Sequence, residues 1–377
     1  MVSGLKPEMK KIRVLIVDDS TVIRRLLSDS LAADPAIEVA GTAANGKIAL
    51  AKMPQVNPDI ITLDMEMPEM DGLTTLVELR KLYPKLPIIM FSTLTQRGAE
   101  ATLDALARGA NDYVTKPANV GSVTAAIQNV QNELLPKIKM FCGMRPSFVA
   151  PSRPVTPVNR IAQAVASPAA RSKSHPAEVV VIGTSTGGPN ALASVIPKIP
   201  ADFPLPILIV QHMPPIFTTH LAARLNQLSP LKVAEAAEGD VLEPGTIWIA
   251  PGNYHMALRR SGTQVRISLN QNPPENSCRP AVDVLFRSAA QVYGPSVLSV
   301  VMTGMGQDGQ RGCEVIRDAG GRVIAQDEAT SVVWGMPGSV VNAGLSDQIL
   351  PLNRIADEIV QQTIGSKSLR SLTKVGI

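Results

Sequence analysis

The sequence predicts two α/β domains, each built on a mainly parallel sheet, joined by a segment that does not fold. Three observations carry this. At 377 residues the chain is longer than one hydrophobic core usually spans. Strand-like aliphatic runs alternate with helical apolar spacing over residues 11–132, and again over 177–366. Between these stretches, residues 133–176 are rich in proline, serine, alanine and basic side chains.

In the first stretch the strands expected are 11–17 (KIRVLIV), 38–43, 59–65, 87–93 and 112–116. The segment 21–33 places Val22, Ile23, Leu26, Leu27 and Leu31 on one helical face. Five such units form a small doubly wound parallel sheet, whose strands deliver side chains from their carboxyl ends into one crevice. Asp18 and Asp19 end the first strand, Asp64 the third, Ser92 the fourth and Lys116 the fifth. In isolation Asp18-Asp19 reads as a helix N-cap. The whole set reads otherwise, because three clustered carboxylates repel unless a cation joins them. Oxygen ligands of this kind suit Mg²⁺. One carboxylate can then act as a nucleophile toward a phosphoryl group, with lysine and serine binding its oxygens.

Between Leu134 and Ala177 this stretch holds Lys137, Lys139, Arg145, Arg153, Arg160, Arg171 and Lys173 and no acidic residue. Taking those seven from the net +4 leaves −3 for the remainder, so the basic balance belongs to the connector. Its composition cannot bury enough apolar surface to fold, and it is expected to be a flexible linker.

In the second stretch the strands expected are VVVIG from 179, 206–212, 246–252, 296–304 and 321–327. The first runs into Gly183-Thr184-Ser185-Thr186-Gly187, a G-x-S-x-G pattern whose glycines allow a sharp bend that exposes Ser185 as a nucleophile. The alternative is a small-residue turn without chemistry. A general base is needed to decide between them. His175 is in the linker and His220 in a helical stretch, which leaves His212 and His255. His212 is favoured because it ends a strand, where a rigid element holds the imidazole. Asp308, in the loop after another strand, supplies the carboxylate that orients an imidazole, and the loop's glycines free backbone N–H groups to face an oxyanion. The chain order Ser…His…Asp differs from the Ser…Asp…His of α/β-hydrolases. Gly304 to Gly309 also satisfies G-x-G-x-x-G, with Asp327 about twenty residues on. A dinucleotide-dependent oxidoreductase is therefore a second reading, weakened by an aspartate within the phosphate loop and by the loop's late place in the domain.

Two resemblances follow from these residues. The first-domain set, with Tyr113 before Val114-Thr115-Lys116-Pro117 and Met67 to Gly72 after Asp64, resembles the receiver domain of bacterial response regulators, a flavodoxin-like fold. The resemblance implies that Asp64 accepts the phosphoryl group. It further implies that Asp19, Asp64 and the Glu66 carbonyl, assisted by Asp18, hold Mg²⁺. Ser92 and Tyr113 become the switch pair, and Lys116 contacts the phosphoryl group.

With that domain, the segments Gly183 to Gly188, Gln211 to Pro214, Ala250 to Gly252, Cys278 to Asp283 and Thr303 to Gly309 resemble the chemotaxis response-regulator protein-glutamate methylesterases. This implies hydrolysis of glutamyl methyl esters on chemoreceptors and deamidation of receptor glutamines, under control of a sensor histidine kinase. Ser185 is then the nucleophile, His212 the base, Asp308 the orienting acid, and the Met305 and Thr186 N–H groups the oxyanion donors. No cofactor is expected in the esterase site. Asp283 receives no role from its chemistry alone.

Other classes fit less well. Aromatics make up 3% of the chain, too few for a base-stacking surface, and no recognition helix with a basic face follows residue 177, so no nucleic-acid partner is expected. No apolar run reaches membrane-span length. Cys142, Cys278 and Cys313 are far apart and odd in number, as in a cytoplasmic protein with reduced thiols. The family likeness adds recruitment to receptor arrays. A 44-residue flexible linker spans roughly 35–40 Å, enough for the first domain to reach the second and restrain it until Asp64 is phosphorylated.

Overall fold

The computed structural model of the protein describes residues 10–116, 127–128, 130–143 and 175–364. Its first sheet holds β1 (Ile12–Val17), β2 (Ile37–Ala43), β3 (Ile60–Asp64), β4 (Ile88–Ser92) and β5 (Asp112–Thr115), in the order β2-β1-β3-β4-β5. All four pairings are parallel. Strands covered on both faces need continuous apolar runs, and β3 and β4 are buried at every residue. Helices α1 (Thr21–Ala32), α2 (Gly46–Val56), α3 (Gly72–Leu82) and α4 (Gln96–Ala107) fill the crossovers. Their starts are set by side-chain caps: Asn45 accepts from the Ile48 N–H at 2.9 Å and Asp71 from the Thr74 N–H at 2.7 Å.

The boundary of this domain lies further on than the sequence suggested. Residues 135–141 form helix α5 (Leu135–Phe141), although they were expected to belong to the linker. Leu134 and Ile138 are fully buried against Ile12, Val14 and Leu31. Lys137 and Lys139, counted with the linker charge, instead pair with Asp112 at 2.8 Å and Asp34 at 2.5 Å. Of the expected linker, residues 144–174 lie outside the described residues.

The second sheet has seven strands: β6 (Val179–Thr184), β7 (Ile207–Gln211), β8 (Lys232–Glu235), β9 (Thr246–Ile249), β12 (Val297–Val301), β13 (Arg322–Gln326) and β14 (Gln348–Leu350). Their order is β14-β13-β12-β6-β7-β9-β8, with every pairing parallel. A separate antiparallel hairpin, β10 (His255–Ser261) with β11 (Gln264–Asn270), was not foreseen. Helices α6 (Gly188–Val195), α7 (Phe217–Leu228), α8 (Val282–Tyr293), α9 (Gln310–Asp318), α10 (Met336–Asn342) and α11 (Leu352–Ile364) cover the faces.

The two domains touch. The Arg224 guanidinium on α7 meets the Asp104 carboxylate of α4 at 2.8 Å, and Asn190 on α6 donates to the Leu106 carbonyl at 2.8 Å. The Tyr113 and Phe217 rings stack with centroids 4.9 Å apart and planes 6° from parallel.

Candidate active site

The second sheet was built outward from β6 in both directions, so its strand order reverses between β6 and β12. In such sheets the crevice outside the carboxyl ends at the reversal is where ligands bind. Ser185 lies just past β6, His212 just past β7, and Asp308 in the loop after β12.

The Ser185 turn is held from three sides. Its N–H donates to the Thr303 carbonyl at 3.0 Å, and its own carbonyl accepts from Gly188 N–H at 2.8 Å and from the Gln211 amide at 3.0 Å. The left-handed residue is Gly187, at φ 77°, where a Cβ would lie 2.6 Å from the Val332 Cβ. Ser185 itself has no positive φ. The bend therefore falls two residues beyond the hydroxyl, and the strained serine of an α/β-hydrolase elbow is absent here.

His212 and Asp308 meet directly, Nε2 to Oδ2 at 2.8 Å. The other ring nitrogen, Nδ1, faces the Cys278 sulfur at 3.4 Å. Among the described residues the Ser185 hydroxyl has no hydrogen-bond partner, so the serine–histidine contact is not made in this structure. Catalytic contacts of this kind often tighten only when substrate is bound. Cys278 was legible only as part of a longer motif, because nothing in the spacing of 212 and 278 brings them together.

Burial opposes charge on the imidazole, but the Cys278 and Asp308 side chains on either side outweigh it and push His212 up to about 10. Burial would also raise Asp308, and here the bond to His212 and the backbone donors of Val282 and Asp283 prevail and hold it low. In the reading that makes His212 a general base, the imidazole must be neutral to act, so ester hydrolysis should rise as pH increases through the histidine's pKa and fall below it. Replacing Cys278 with alanine removes one of the groups that favour imidazolium. The acid limb of kcat/KM should then move to lower pH, measured as ester hydrolysis across a pH series. An unmoved limb would show that the sulfur has no such influence.

His255, the competing base, is 1% exposed at the start of β10. Its Nδ1 accepts from the Ala281 N–H at 3.2 Å and its Nε2 bonds the Pro273 carbonyl at 3.1 Å, so both nitrogens serve the fold. The loop Gly304–Gly309 also answers the dinucleotide reading. The Gly309 N–H at the start of α9 already donates to the carboxylates of Asp283 and Asp308, each at 3.0 Å. Two protein anions fill the place a pyrophosphate would take. The N–H groups of Thr186 and Met305 donate to nothing among the described residues. Met305 lines a cleft of about 750 Å³ together with Gln307, Val332, Trp334 and, from α5 of the first domain, Met140.

In the first domain, ligand oxygens of Asp18, Asp19 and Asp64 lie within 4.8 Å of one another. Lys116 Nζ bridges Asp64 Oδ2 at 2.7 Å and Asp18 Oδ2 at 3.1 Å. Burial and the neighbouring Asp18 raise Asp64 to about 6 despite that lysine and the Glu66 N–H, which donates to Asp64 Oδ1 at 3.3 Å. Ser92 is fully buried; its hydroxyl donates to the Gly98 carbonyl at 3.1 Å and accepts from Thr102 at 2.7 Å, both on α4. Tyr113 is at the domain interface, and Asp112 beside it accepts at 3.0 Å from the hydroxyl of Thr186, next to Ser185.

Comparison with known proteins gives a consistent picture. Residues 180–359 match the CheB methylesterase family, and residues 14–128 the response regulator receiver domain family. A protein-glutamate methylesterase/protein-glutamine glutaminase of Trichodesmium erythraeum is 56% identical, over 94% of this chain and 99% of its own. One of the same description from a Nocardioides species is 51% identical, over 94% and 96%. The crystal structure of the Thermotoga maritima CheB methylesterase catalytic domain is 44% identical, covers 49% of this chain and 98% of its own, and superimposes with a TM-score of 0.49.

Proposed function

This chain belongs to the protein-glutamate methylesterase/protein-glutamine glutaminase family, and from that footing we propose that it demethylates and deamidates chemoreceptors through Ser185, His212 and Asp308. The observation that carries the site assignment is the 2.8 Å bond between His212 and Asp308 in the same crevice as the Ser185 turn. Ser185 Oγ attacks the side-chain carbonyl of a glutamyl methyl ester or a glutamine, and His212 takes its proton. The proton passes to the departing methanol or ammonia, which leaves a glutamyl-enzyme ester. His212 then deprotonates a water that attacks this ester, and Ser185 recovers its proton as glutamate leaves. Asp308 holds the ring and stabilises the imidazolium between these steps. The N–H groups of Thr186 and Met305, which have no acceptor among the described residues, are suited to the oxyanion.

The receiver domain supplies control, with a sensor kinase as phosphoryl donor. Its chemistry calls for Mg²⁺, and the donor set fits: three carboxylates with oxygens within 4.8 Å, all hard ligands. Asp18, Asp19 and Asp64, with the Glu66 carbonyl, are the groups that would hold the ion, whose charge offsets theirs and that of the phosphoryl group. Asp64 takes the phosphoryl group onto a carboxylate oxygen, and Lys116 remains to bind it. Ser92 and Tyr113 pass the change to the interface. No helix among the described residues is long and apolar enough to cross a membrane, and action in the cytoplasm at receptor arrays is the reading that suits such a substrate.

Restraint by the receiver has a physical basis. Tyr113 on Phe217, Asp112 on the Thr186 hydroxyl and Met140 in the cleft that Met305 lines put receiver side chains against the residue after Ser185 and against one of the oxyanion donors. A bulky receptor must displace them. The test is methanol release from methyl-labelled receptors, and ammonia release from their glutamine sites, by purified protein. A fragment beginning at Ala177 should release methanol several-fold faster than the unphosphorylated full chain. No release by either form would overturn the function; equal rates, unresponsive to a phosphodonor, would remove only the restraint.

A further inference from the structure

A second carboxylate lies beside the proposed triad and takes no part in the reaction. Asp283 is 1% exposed and Asp308 2% exposed. Two buried like charges this close repel strongly unless donors satisfy both. The donors come from helix ends. Helices α8 and α9 begin next to one another, and neither has a cap from its own preceding residue, which is Ala281 in one and Gly309 in the other. Each is capped by the other's carboxylate. Asp308 accepts from Val282 N–H at 2.6 Å and Asp283 N–H at 3.0 Å, at the start of α8. Asp283 accepts from Gly309 N–H at 3.0 Å and Gly312 N–H at 2.7 Å, at the start of α9. The positive ends of two helices thus face two negative groups.

Asn276 joins the pair. Its Nδ2 donates to Asp283 Oδ2 and to Asp308 Oδ1, both at 2.9 Å. An amide nitrogen carries two hydrogens, so each carboxylate receives one. The loop is bent to allow this: Asn276 and Ser277 have φ of 51° and 63°. Asp308 Oδ1 is then held by the N–H groups of Asp283 and Gly309 and by Asn276, while Oδ2 takes Val282 and His212. Rotating the carboxylate breaks bonds at both oxygens, so its plane, and with it the direction of Oδ2 toward the imidazole, is fixed. The residue type matters. A basic side chain would neutralise the charge that stabilises imidazolium, and an acidic one would add a third negative charge. A neutral double donor does neither.

We propose that Asn276 is a positioning residue of the esterase: by bridging Asp283 and Asp308 it fixes the Asp308 carboxylate in the orientation that His212 requires. This rests on the triad reading above. Asn276→Gly tests it in the full-length protein, because glycine adopts the left-handed backbone freely and only the amide is lost. The expected result is a fall in kcat of about 10–100-fold, the scale of a small misplacement of reacting groups. KM for the methylated receptor should stay near the parental value, while the melting temperature falls by a few degrees as the buried carboxylates lose a donor. In an Asp308→Asn background the same change should cost nothing further, because its effect passes through Asp308. Asn276→Asp, which keeps the size and replaces both donors, should be slower than Asn276→Gly. A parental kcat for Asn276→Gly or for Asn276→Asp overturns the proposal, and so does a full additional loss in the Asp308→Asn background. Parental activity of Asp308→Asn itself would instead overturn the triad.

Discussion

Ser185→Ala is expected to lower ester hydrolysis by at least about 10⁴-fold, because losing the nucleophile forfeits everything the triad does as a unit. The Ser185 hydroxyl has no hydrogen-bond partner among the described residues, and the bonds that hold the turn come from its backbone. The variant should therefore unfold within about 0.5 kcal/mol of the parent, as for a surface change that touches no packing feature. Asp308→Asn should behave differently. It leaves the nucleophile in place but disturbs the tautomer of His212, at a cost of about 10⁴-fold in kcat. It also weakens the cap on α8, so its melting temperature should drop where that of Ser185→Ala does not. Methanol release and thermal melts of the two purified variants check both statements. Parental hydrolysis by Ser185→Ala would falsify the nucleophile assignment.

Asp64→Ala is expected to abolish labelling by acetyl phosphate, and chelation of divalent cations is expected to do the same to the parent protein. Burial and Asp18 raise the Asp64 carboxylate to about 6, and among the described residues Lys116 is the one cation bridging Asp18 and Asp64. An incoming phosphoryl group adds further negative charge to that pocket, which one ammonium does not balance. A divalent cation held by the three carboxylates does. Because Asp64 belongs to the receiver, the variant should keep its basal esterase rate and lose only the response to phosphodonor. Persistent label in Asp64→Ala would move the acceptor elsewhere. Undiminished labelling with a chelator present would remove the metal from the mechanism.

Much of the architecture was legible because parallel sheets covered on both faces need unbroken apolar runs. Strands β1, β3, β4, β6, β7, β9, β12 and β13 all announced themselves this way. The missed strands lack that mark. β8 has the burial pattern of an edge, with Lys232 exposed, and β14 is three residues long. The β10–β11 hairpin is half exposed, so its strands carry mixed polarity. Helix α5 was hidden by Pro136 and two lysines, which read as linker composition until Asp112 and Asp34 were found opposite them. His255 was ranked below His212 on rigidity, and its two hydrogen bonds to backbone give a firmer reason.

The sequence by itself determined which polar side chains gather at the two sheet edges, since alternation of strand and helix sends the end of every parallel strand to one edge of its sheet. Ser185, His212 and Asp308 could be named for that reason, as could Asp18, Asp19, Asp64, Ser92 and Lys116. Only the tertiary structure decided what those residues touch. His212 and Asp308 are 96 positions apart, and Thr186 and its receiver partner Asp112 are 74 apart. The cross-capping of α8 and α9, the Asn276 bridge, the thiol of Cys278 at the imidazole and the stacking of Tyr113 on Phe217 are likewise contacts through space. Hydrophobic periodicity records which face of an element is buried. Which polar group it meets there is fixed by how the elements pack, and a linear pattern holds no record of that.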